Sequence, residues 1–428
     1  MKKENNLQIS CCVPLRETYD VIVTGGGPAG ICAAISAARQ GMRTAIIERL
    51  GYFGGLATAG LVMPVSEFNK NDRRIIRGIP WEIMERLAAC DGAILDWRNG
   101  NVPFDAECYK MTIEQMLVEE GVEVYLECAF VNCVCDENRV THIICSSRCG
   151  MFALGASCFI DCTGDALLAL AAGVPMQEAK EESQPATLCF QIGNVDTDHL
   201  ENICLSETNT RYFNKRIKDI LLSLDENVPN FGGPWFCRTM DSGVVTANIT
   251  RAPLDSIEPE YISRAVMQLR KDIFMLVKLL RENVPEFSRC RLLQTASIIG
   301  CRDGRRIVGA HTLTAAELLS GEEHYDAIAA SAHPVDVHVA HDTSQRVVFL
   351  EREGYIPYRS LWNADFPNLL VAGRCLSADS DAYASVRVQA PCMAMGEAVG
   401  AAAALSVKNQ VSVGDVDVAK LKEILKGE

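Results

Sequence analysis

Three arginines lie close together in the segment GCRDGRRIVG, which runs from residue 300 to residue 309. Arg302, Arg305 and Arg306 each carry a planar guanidinium, which can bind a carboxylate through two parallel hydrogen bonds. The spacing therefore predicts a place where a small organic acid is anchored. A salt-bridged entrance to a strand, with Asp303 as the acidic partner, is the alternative interpretation.

Four of the seven histidines fall in the polar stretch from residue 324 to residue 342. They are His324, His333, His338 and His341. A histidine can accept a proton near neutral pH when a substrate C–H bond is broken. Two other interpretations are open: a metal site formed by His333, His338 and His341 with Asp342, and a purely structural loop.

Arginines and histidines need a bound molecule to act on. The segment from Tyr19 to Glu48 indicates which class of molecule the chain binds. An apolar run, Val21 to Val23, predicts a buried parallel strand, and Gly25, Gly27 and Gly30 follow in Gly-x-Gly-x-x-Gly spacing. The first glycine permits a tight turn, the second leaves room for a diphosphate, and the third lets the next helix pack closely. The free amides and the dipole at the start of that helix favour a diphosphate. The segment therefore predicts a dinucleotide site.

A second strand, Thr44 to Ile47, ends in Glu48, which is placed to accept hydrogen bonds from an adenosine ribose. Its negative charge would repel a 2′-phosphate. The unit therefore predicts NAD or FAD rather than NADP.

Composition narrows the class of protein. The 428 residues are 48% hydrophobic and 22% charged, which is typical of a soluble globular chain, and the net charge of −14 disfavours nucleic acid and anionic membrane surfaces. The N-terminus does not resemble a secretory signal, and we expect no membrane-spanning segment. Nineteen cysteines predict a reducing cytoplasm, and no pair has Cys-x2-Cys spacing, so no metal or iron–sulfur site is predicted.

The order of elements predicts an α/β fold. Residues 122 to 161 are strand-like, with breaks near Gly150 and Gly155, which predicts a three-stranded β-meander followed by a strand ending at Asp161. Apolar residues at helical spacing predict a helix between residues 256 and 282. We expect residues 1–175 and 351–428 to form the two parts of a three-layer, Rossmann-like dinucleotide-binding domain. Residues 176–350 would form an α+β substrate or cap domain.

Several motifs together resemble FAD-dependent oxidoreductases whose flavin domain has the glutathione-reductase topology. They are GGGPAG with Glu48, GYFGGLATAG, DCTGDALLALAAG, the stretch from NLLVAGR to EAVGAAAAL, and the region from NITRAPLD to IPYRSL. The resemblance extends to the flavin part of heterodisulfide reductase and, more distantly, to fumarate reductase flavoproteins. It implies FAD as the cofactor.

The resemblance also implies a set of cofactor-binding residues along the chain. They are Gly25, Gly26, Gly27, Pro28, Ala29, Gly30, Glu48, Arg49, Gly54, Gly55, Leu56, Ala57, Thr58, Phe130, Val131, Cys162, Thr163, Gly164, Asp165, Gly373, Arg374, Arg387 and Gln389. A helix N-cap role is the alternative for Asp165. The helix expected near Pro391 would direct its positive end at the flavin ring, where negative charge develops on reduction.

The same resemblance assigns roles in catalysis. It makes His338 the preferred proton acceptor and places Arg302, Arg305 and Arg306 in substrate anchoring and proton delivery. The chain has a single dinucleotide fingerprint and no cysteine pair near the first helix, unlike the pyridine-nucleotide disulfide reductases of similar flavin domain. A second, NAD-binding site is therefore not expected.

The sequence predicts a cytoplasmic FAD-dependent oxidoreductase that acts on a small organic substrate by hydride transfer through the flavin. The alternative is a flavin-bearing electron-transfer subunit with an iron–sulfur partner protein, which would supply the cluster. A third hypothesis is a flavin-binding sensor or structural protein without turnover. Substrate, direction of reaction, electron acceptor and oligomeric state are not predicted.

Overall fold

A computed structural model gives the fold of the chain. It describes residue 7 and residues 10–95, 100–178, 183–197, 207–224, 228–254 and 256–427, with only the backbone described for residues 207–214.

The described part of the chain combines strands and helices. The strands are β1 (Leu15–Thr24), β2 (Thr44–Ile47), β3 (Asn69–Lys70), β4 (Arg73–Arg74), β5 (Glu123–Tyr125), β6 (Ala129–Asp136), β7 (Arg139–Ser147), β8 (Gly150–Asp161), β9 (Phe190–Gly193), β10 (Phe231–Arg238), β11 (Val245–Thr250), β12 (Arg291–Thr295), β13 (Ala327–Ser331), β14 (Val335–His338), β15 (Gln345–Val348), β16 (Gly354–Pro357) and β17 (Leu369–Val371). The helices are α1 (Pro28–Arg39), α2 (Ile79–Ala89), α3 (Ala106–Glu119), α4 (Leu167–Ala172), α5 (Glu207–Leu222), α6 (Pro259–Asn283), α7 (Ala315–Ser320), α8 (Ser380–Val386), α9 (Gln389–Asn409) and α10 (Val418–Lys426).

The main sheet has the strand order β5-β2-β1-β8-β7-β6, and β17 also pairs with β8. The pairs β5–β2, β2–β1, β1–β8 and β8–β17 are parallel, whereas β8–β7 and β7–β6 are antiparallel. Parallel strands require helical crossovers, and α1 between β1 and β2 is one of them. The expected α/β, Rossmann-like class with a β-meander is confirmed.

The prediction of separate strands between residues 150 and 161 was wrong, because β8 is one continuous strand. Its first half pairs with β7 and its second half with β17, while β1 lies along its other edge. Gly155 sits inside this strand, where a side chain would meet His142 and Thr18. A glycine in a strand can mark a close approach rather than a break.

The core of this region is formed by α1 and α9, which pack directly against each other. A Cβ at Gly396 would lie 2.0 Å from the carbonyl oxygen of Ala29, and one at Gly400 would lie 2.3 Å from that of Ala33. Small residues therefore let the two backbones approach closely.

Helix α9 is also the one described helix long and apolar enough to span a membrane, which the sequence did not lead us to expect. In this fold 78% of its most apolar window is buried against the rest of the protein. Its apolar character is that of a core helix.

A second, antiparallel sheet has the order β10-β11-β9-β12 and is covered by α6. Leu269, Ile273, Leu276 and Leu280 of α6 are fully buried in the hydrophobic cluster beneath it. This helix confirms the one expected from apolar spacing. The domain limits at residues 175 and 350 stay a prediction, and Leu313, which precedes residue 350, packs in the cluster of α1 and α9.

Candidate active site

A cavity of about 510 Å³ opens where parallel strands of the main sheet end. Its lining includes Gly25 after β1, Glu48 after β2, Cys162 after β8 and Gly373 after β17. Open parallel sheets bind ligands outside the carboxyl ends of their strands. The topology therefore brings together segments that are far apart in sequence.

The three glycines of the fingerprint occupy three different environments. Gly25 has a φ of +100°, and a Cβ there would lie 2.5 Å from the carbonyl oxygen of Cys162. A Cβ at Gly30 would lie 1.8 Å from the carbonyl oxygen of Gly25, so Gly30 is required for the contact of α1 with the turn. A Cβ at Gly27 would meet nothing within 4 Å and would point into free space. Packing thus explains Gly25 and Gly30, whereas Gly27, the N-cap of α1, leaves open space beside the helix N-terminus that a ligand can fill.

Glu48 is buried at one end of the cavity. Its Oε2 accepts a hydrogen bond from the backbone N–H of Gly26 at 2.7 Å, and its Oε1 accepts one from that of Leu50 at 2.8 Å. Burial raises the pKa of this carboxyl, although both hydrogen bonds oppose the shift. Each oxygen keeps a further lone pair, so the carboxylate can still accept hydrogen bonds from ribose hydroxyls.

The turn after β8 is held by the buried carboxylate of Asp161. Its Oδ1 accepts from the N–H and the hydroxyl of Thr163, at 2.9 and 2.7 Å, and its Oδ2 accepts from the N–H of Ala169 at 2.9 Å. This fixes Thr163, Gly164 and Asp165 along the cavity. The Oδ1 of Asp165 is buried without a hydrogen-bond partner among the described residues.

The other end of the cavity lies at the start of α9. There the Nε2 of Gln389 donates to the carbonyl oxygen of Val62 at 2.8 Å. Two buried polar atoms at this end lack partners among the described groups: the Oε1 of Gln389 and the Nε of Arg387. Buried polar atoms are rarely left unpaired, which indicates that a ligand completes this end.

Most residues expected to bind the cofactor line this one cavity. They are Gly25, Gly27, Pro28, Ala29, Glu48, Arg49, Gly55, Leu56, Cys162, Thr163, Gly164, Asp165, Gly373, Arg374, Arg387 and Gln389. The charged side chains of the lining are four arginines, including Arg305, and two carboxylates. In a protein of net charge −14, this cavity concentrates positive charge.

Seven of the expected residues do not line the cavity. They are Gly26, Gly30, Gly54, Ala57, Thr58, Phe130 and Val131. Gly30 lies in the first turn of α1, and the other four of the first five lie in loops beside the lining, where the hydroxyl of Thr58 donates to the carbonyl of Phe53 at 2.7 Å. Phe130 and Val131 lie on β6, the outer strand of the antiparallel arm, and the side chain of Val131 is exposed. In the sheet β7 and β8 lie between β6 and β1, so Phe130 and Val131 are far from the glycine turn after β1. Neither the motif spacing nor the pattern of strand residues could show this order of strands.

The fold separates Arg302 from the other two arginines of the GCRDGRR segment, since Arg305 and Arg306 both line a cavity of about 280 Å³. Arg305 is half-buried, lines the cavity, and has no hydrogen-bond or ion-pair partner among the described residues. Arg306 is buried, donating to the carbonyl of Ala378 at 2.8 Å and lying over the ring of Tyr383. Arg302 is buried and donates to the carbonyl of Pro185 at 2.7 Å. Asp303 accepts instead from Gln184, so no salt-bridged strand entrance forms.

His338 is buried in a network behind the cavity. Its Nδ1 lies 2.9 Å from the Nη2 of Arg251, which can only donate, so this nitrogen accepts. Its Nε2 therefore carries the proton and donates to the Oδ2 of Asp336 at 3.0 Å. Burial and the charge of Arg302 lower the pKa of His338 to about 3. With both nitrogens engaged, His338 has no free lone pair for a substrate proton, so the geometry does not favour its expected role.

The other histidines of this stretch are dispersed. His333 is held by its own loop, with Nδ1 2.8 Å from the carbonyl of Pro334, and burial lowers its pKa to about 4. The ring of His324 packs against that of His311, and His341 is exposed. Across the described residues, no three His, Cys, Asp or Glu groups are arranged to hold a metal ion.

Several residues of the site were not anticipated from the sequence. Ile262 and Val266, on one flank of α6, line the cavity, as do Ser297 to Ile299. Gln184 bridges two parts of the site: its Nε2 donates to Asp303, and its Oε1 accepts from the N–H of His338 at 3.1 Å. The apolar flank of α6 was visible as a pattern, whereas a lone glutamine carries no signal.

A profile of the family described as "FAD dependent oxidoreductase" matches residues 20–425, nearly the whole chain. The chain belongs to this family of FAD-dependent oxidoreductases. FAD is accordingly its cofactor, and the described residues fit it, since Gly27 leaves space, arginines predominate in the lining, and Asp165 and Gln389 offer unpaired oxygens.

Individual relatives match the oxidoreductase over short stretches only. Dihydrolipoyl dehydrogenase of Trypanosoma brucei brucei is 52% identical over 44 residues, 10% of this chain and 9% of that protein. A 3-oxosteroid 1-dehydrogenase of Mycolicibacterium smegmatis is 34% identical over 82 residues, 18% of this chain and 14% of that protein. The matched stretches thus span a small part of these relatives.

Solved structures share the fold over nearly the whole chain. p-Nitrophenol 4-monooxygenase PnpA from Pseudomonas putida DLL-E4 has a TM-score of 0.50 and 11% identity, covering 96% of this chain and 84% of that one. The flavin-dependent brominase Bmp2 has the same TM-score and identity, covering 96% and 83%. At this identity the likeness concerns the fold alone.

Proposed function

We propose that this oxidoreductase acts on a small organic substrate by hydride transfer through FAD bound along the cavity. The observation that carries the proposal is one continuous cavity whose lining runs from Glu48 to Gln389. When bound, FAD supplies the hydride-transfer chemistry, and the protein contributes binding, orientation and electrostatics.

The chain's own residues divide these tasks along the cavity. Glu48 would bind the adenosine ribose, and the N-terminal amides of α1 beside Gly27 would hold the diphosphate, where Arg49 adds positive charge. Gly373 and Gln389 would hold the flavin ring. Asp165, with its unpaired oxygen, would bind a hydroxyl group of the cofactor chain.

The substrate side is formed by residues outside the dinucleotide fold. A second cavity of about 280 Å³ shares Ile257 and Arg305 with the first and is also lined by Gln184. Helix α6 covers the cofactor cavity through Ile262 and Val266, and these apolar side chains exclude water from it. We assign substrate binding to the place where the two cavities meet, at Ile257 and Arg305. We assign to His338 a role in positioning Asp336 and Arg251, rather than a role in proton transfer.

The experiment is anaerobic mixing of the oxidised holoprotein with a panel of small alcohols, amines and organic acids, followed through the flavin absorbance. Bleaching by one class without a partner protein would support the proposal. Bleaching only by a reduced iron–sulfur protein would instead support the electron-transfer subunit expected as an alternative.

The narrower relationship to the flavin part of heterodisulfide reductase and to fumarate reductase flavoproteins is a proposal that rests on the sequence alone. The cytoplasmic location likewise rests on the sequence alone.

A further inference from the structure

Two buried arginines and one half-buried arginine lie at the Gln389 end of the cavity, and we call Arg251, Arg302 and Arg387 the arginine cluster. Arg251 is 2% exposed and Arg302 is 7% exposed, while Arg387 is half-buried and lines the cavity. None of the three forms an ion pair within 4.0 Å among the described residues. The neighbouring carboxylate, Asp336, is bound to His338 instead.

The hydrogen bonds of the cluster go almost entirely to neutral groups. The Nη1 of Arg251 donates to the carbonyl oxygens of residues 339, 342 and 344, at 3.1, 2.7 and 2.8 Å. Arg387 donates to the carbonyl of Asp336 at 3.3 Å and reaches the Oε1 of Gln184 at 3.5 Å. Carbonyl dipoles satisfy N–H groups but carry no net charge, so the nearby carboxylate of Asp336 is left to offset three guanidinium charges.

The charges also act on one another. Burial, together with the neighbouring Arg387 and Arg251, lowers the pKa of Arg302 to about 9. An excess of buried like charge is costly unless an anion compensates it. The protein's own exposed Asp342 touches the cluster only through its carbonyl.

Two guanidinium groups face the cavity, that of Arg387 from the arginine cluster and that of Arg305 beside it. Arg387 presents a buried Nε without a partner among the described groups, and Arg305 lines the same cavity with no protein partner in the described part of the chain. Gln184 connects the two, because it binds both Arg387 and Asp303, which lies two residues before Arg305. Unpaired donors of this kind are suited to a planar anion.

We propose that the substrate carries a carboxylate and that Arg305 and Arg387 bind it, with Arg302 and Arg251 supplying the positive field behind them. This deepens the proposed function and rests on it, because the carboxylate would lie at the flavin end of the cavity. The arrangement selects acids over neutral molecules of the same size.

The test is binding of propionate to the oxidised holoprotein, compared with the neutral, equally large propionamide. Both are titrated at constant ionic strength, and the perturbation of the flavin absorption spectrum gives the dissociation constant. We expect saturable binding of propionate and none of propionamide at ten times the concentration. In Arg305→Gln the dissociation constant for propionate should rise about tenfold or more, since a hydrogen bond to a charged group is lost.

Arg305→Gln is the primary variant because the substitution removes no protein contact that folding requires. Arg139→Gln is the matched control, since Arg139 is exposed on β7 and donates only to the carbonyl of Ser157. Its propionate binding should equal that of the unmodified protein. Arg387→Lys, which keeps the charge but loses the planar fork, should weaken propionate binding in the variant loaded with FAD.

Equal binding of the acid and the amide, no binding of either, or the same loss in Arg139→Gln and Arg305→Gln would overturn the proposal. Arg305→Gln and Arg387→Lys could instead change the reduction potential of the flavin and leave propionate binding unchanged. The two arginines would then act on the cofactor rather than on the substrate, and this result would also overturn the proposal. The titration needs no turnover. A holoprotein that binds propionate but is never reduced by a substrate would therefore refute the proposed function alone.

Discussion

At the scale of single residues, the site depends on which polar atoms the protein itself satisfies. Both oxygens of Glu48 and both ring nitrogens of His338 have protein partners, whereas Gln389 and Asp165 each keep an unpaired buried oxygen. The chemistry of a histidine is visible in the sequence, but its hydrogen-bond partners are not. Arg251, which occupies the lone pair of Nδ1, comes from a segment 87 residues away, so the sequence could suggest His338 as a proton acceptor without showing that this lone pair is occupied.

Glu48→Gln should weaken FAD binding roughly tenfold, because the amide has one oxygen that accepts hydrogen bonds where the carboxylate has two. The backbone N–H groups of Gly26 and Leu50 and the ribose hydroxyls would then compete for that one oxygen. Fluorescence titration of the apoprotein with FAD measures the change. Glu127→Gln provides the control, since Glu127 pairs with Arg148 at the surface and is absent from the cavity lining. An unchanged dissociation constant in Glu48→Gln would remove this carboxylate from the cofactor site.

Acidification should destabilise the protein through its buried neutral histidines. The pKa of His338 is lowered to about 3 and that of His333 to about 4, both below the ordinary value of 6.5. The unfolded chain therefore binds more protons below pH 6.5, and stability falls as the pH falls towards 4. At pH 5 each imidazole should cost about 2 kcal/mol relative to neutral pH, at 1.36 kcal/mol per pKa unit.

Urea unfolding of the protein between pH 5 and pH 8 measures this slope. His338→Gln should have lower overall stability but a shallower pH dependence, because one of the two linked groups is gone. His142→Gln, at a partly buried position on β7, should keep the slope of the unmodified protein. Identical slopes in all three proteins would contradict the assignment of His338 as neutral and buried.

At the scale of elements, α1 and the turn before it determine the cofactor site, and they were predictable. The strand, the three glycines, the helix and the terminal acid follow one another within thirty residues, so local sequence specifies the whole unit. The same is true of α6, whose apolar spacing predicted its buried face. β8 was predicted less well, because its continuity through Gly150 to Asp161 depends on pairing with β1, β7 and β17 rather than on its own residues.

Gly27→Ala and Gly30→Ala should separate ligand binding from packing within α1. In Gly27→Ala the apoprotein should lose less than about 1 kcal/mol, a loss typical of an altered helix N-cap. FAD affinity should nevertheless fall at least about tenfold, because the new Cβ enters the cavity. Gly30→Ala should fail to fold or lose more than about 3 kcal/mol, since its Cβ would overlap the carbonyl of Gly25.

Urea unfolding of both apoproteins and FAD titration of the folded variant check this pair. Normal FAD affinity in Gly27→Ala would show that the open space beside Gly27 is not the diphosphate site. A stable Gly30→Ala would show that the helix can move away from the turn.

At the scale of the whole molecule, the cavity combines segments from the first fifty residues, the region around 300 and the last fifty. The sequence motifs indicated that these segments share one cofactor, and the family match supports this. The substrate side was far less predictable, because Gln184 carries no motif, and its contacts with His338, Asp303 and Arg387 join segments more than 100 residues apart. Location in the cytoplasm and the domain limits stay predictions at this scale.

We propose that FAD extends along the cavity of about 510 Å³, with its ring at the end formed by Gly373, Arg387 and Gln389. A crystal structure of the oxidised holoprotein would locate the cofactor. We expect the diphosphate at the N-terminus of α1 beside Gly27, the ribose at Glu48, and the ring within hydrogen-bonding reach of Gln389. A ring located at the Glu48 end, or a flavin bound outside this cavity, would show that the proposed cofactor site is wrong.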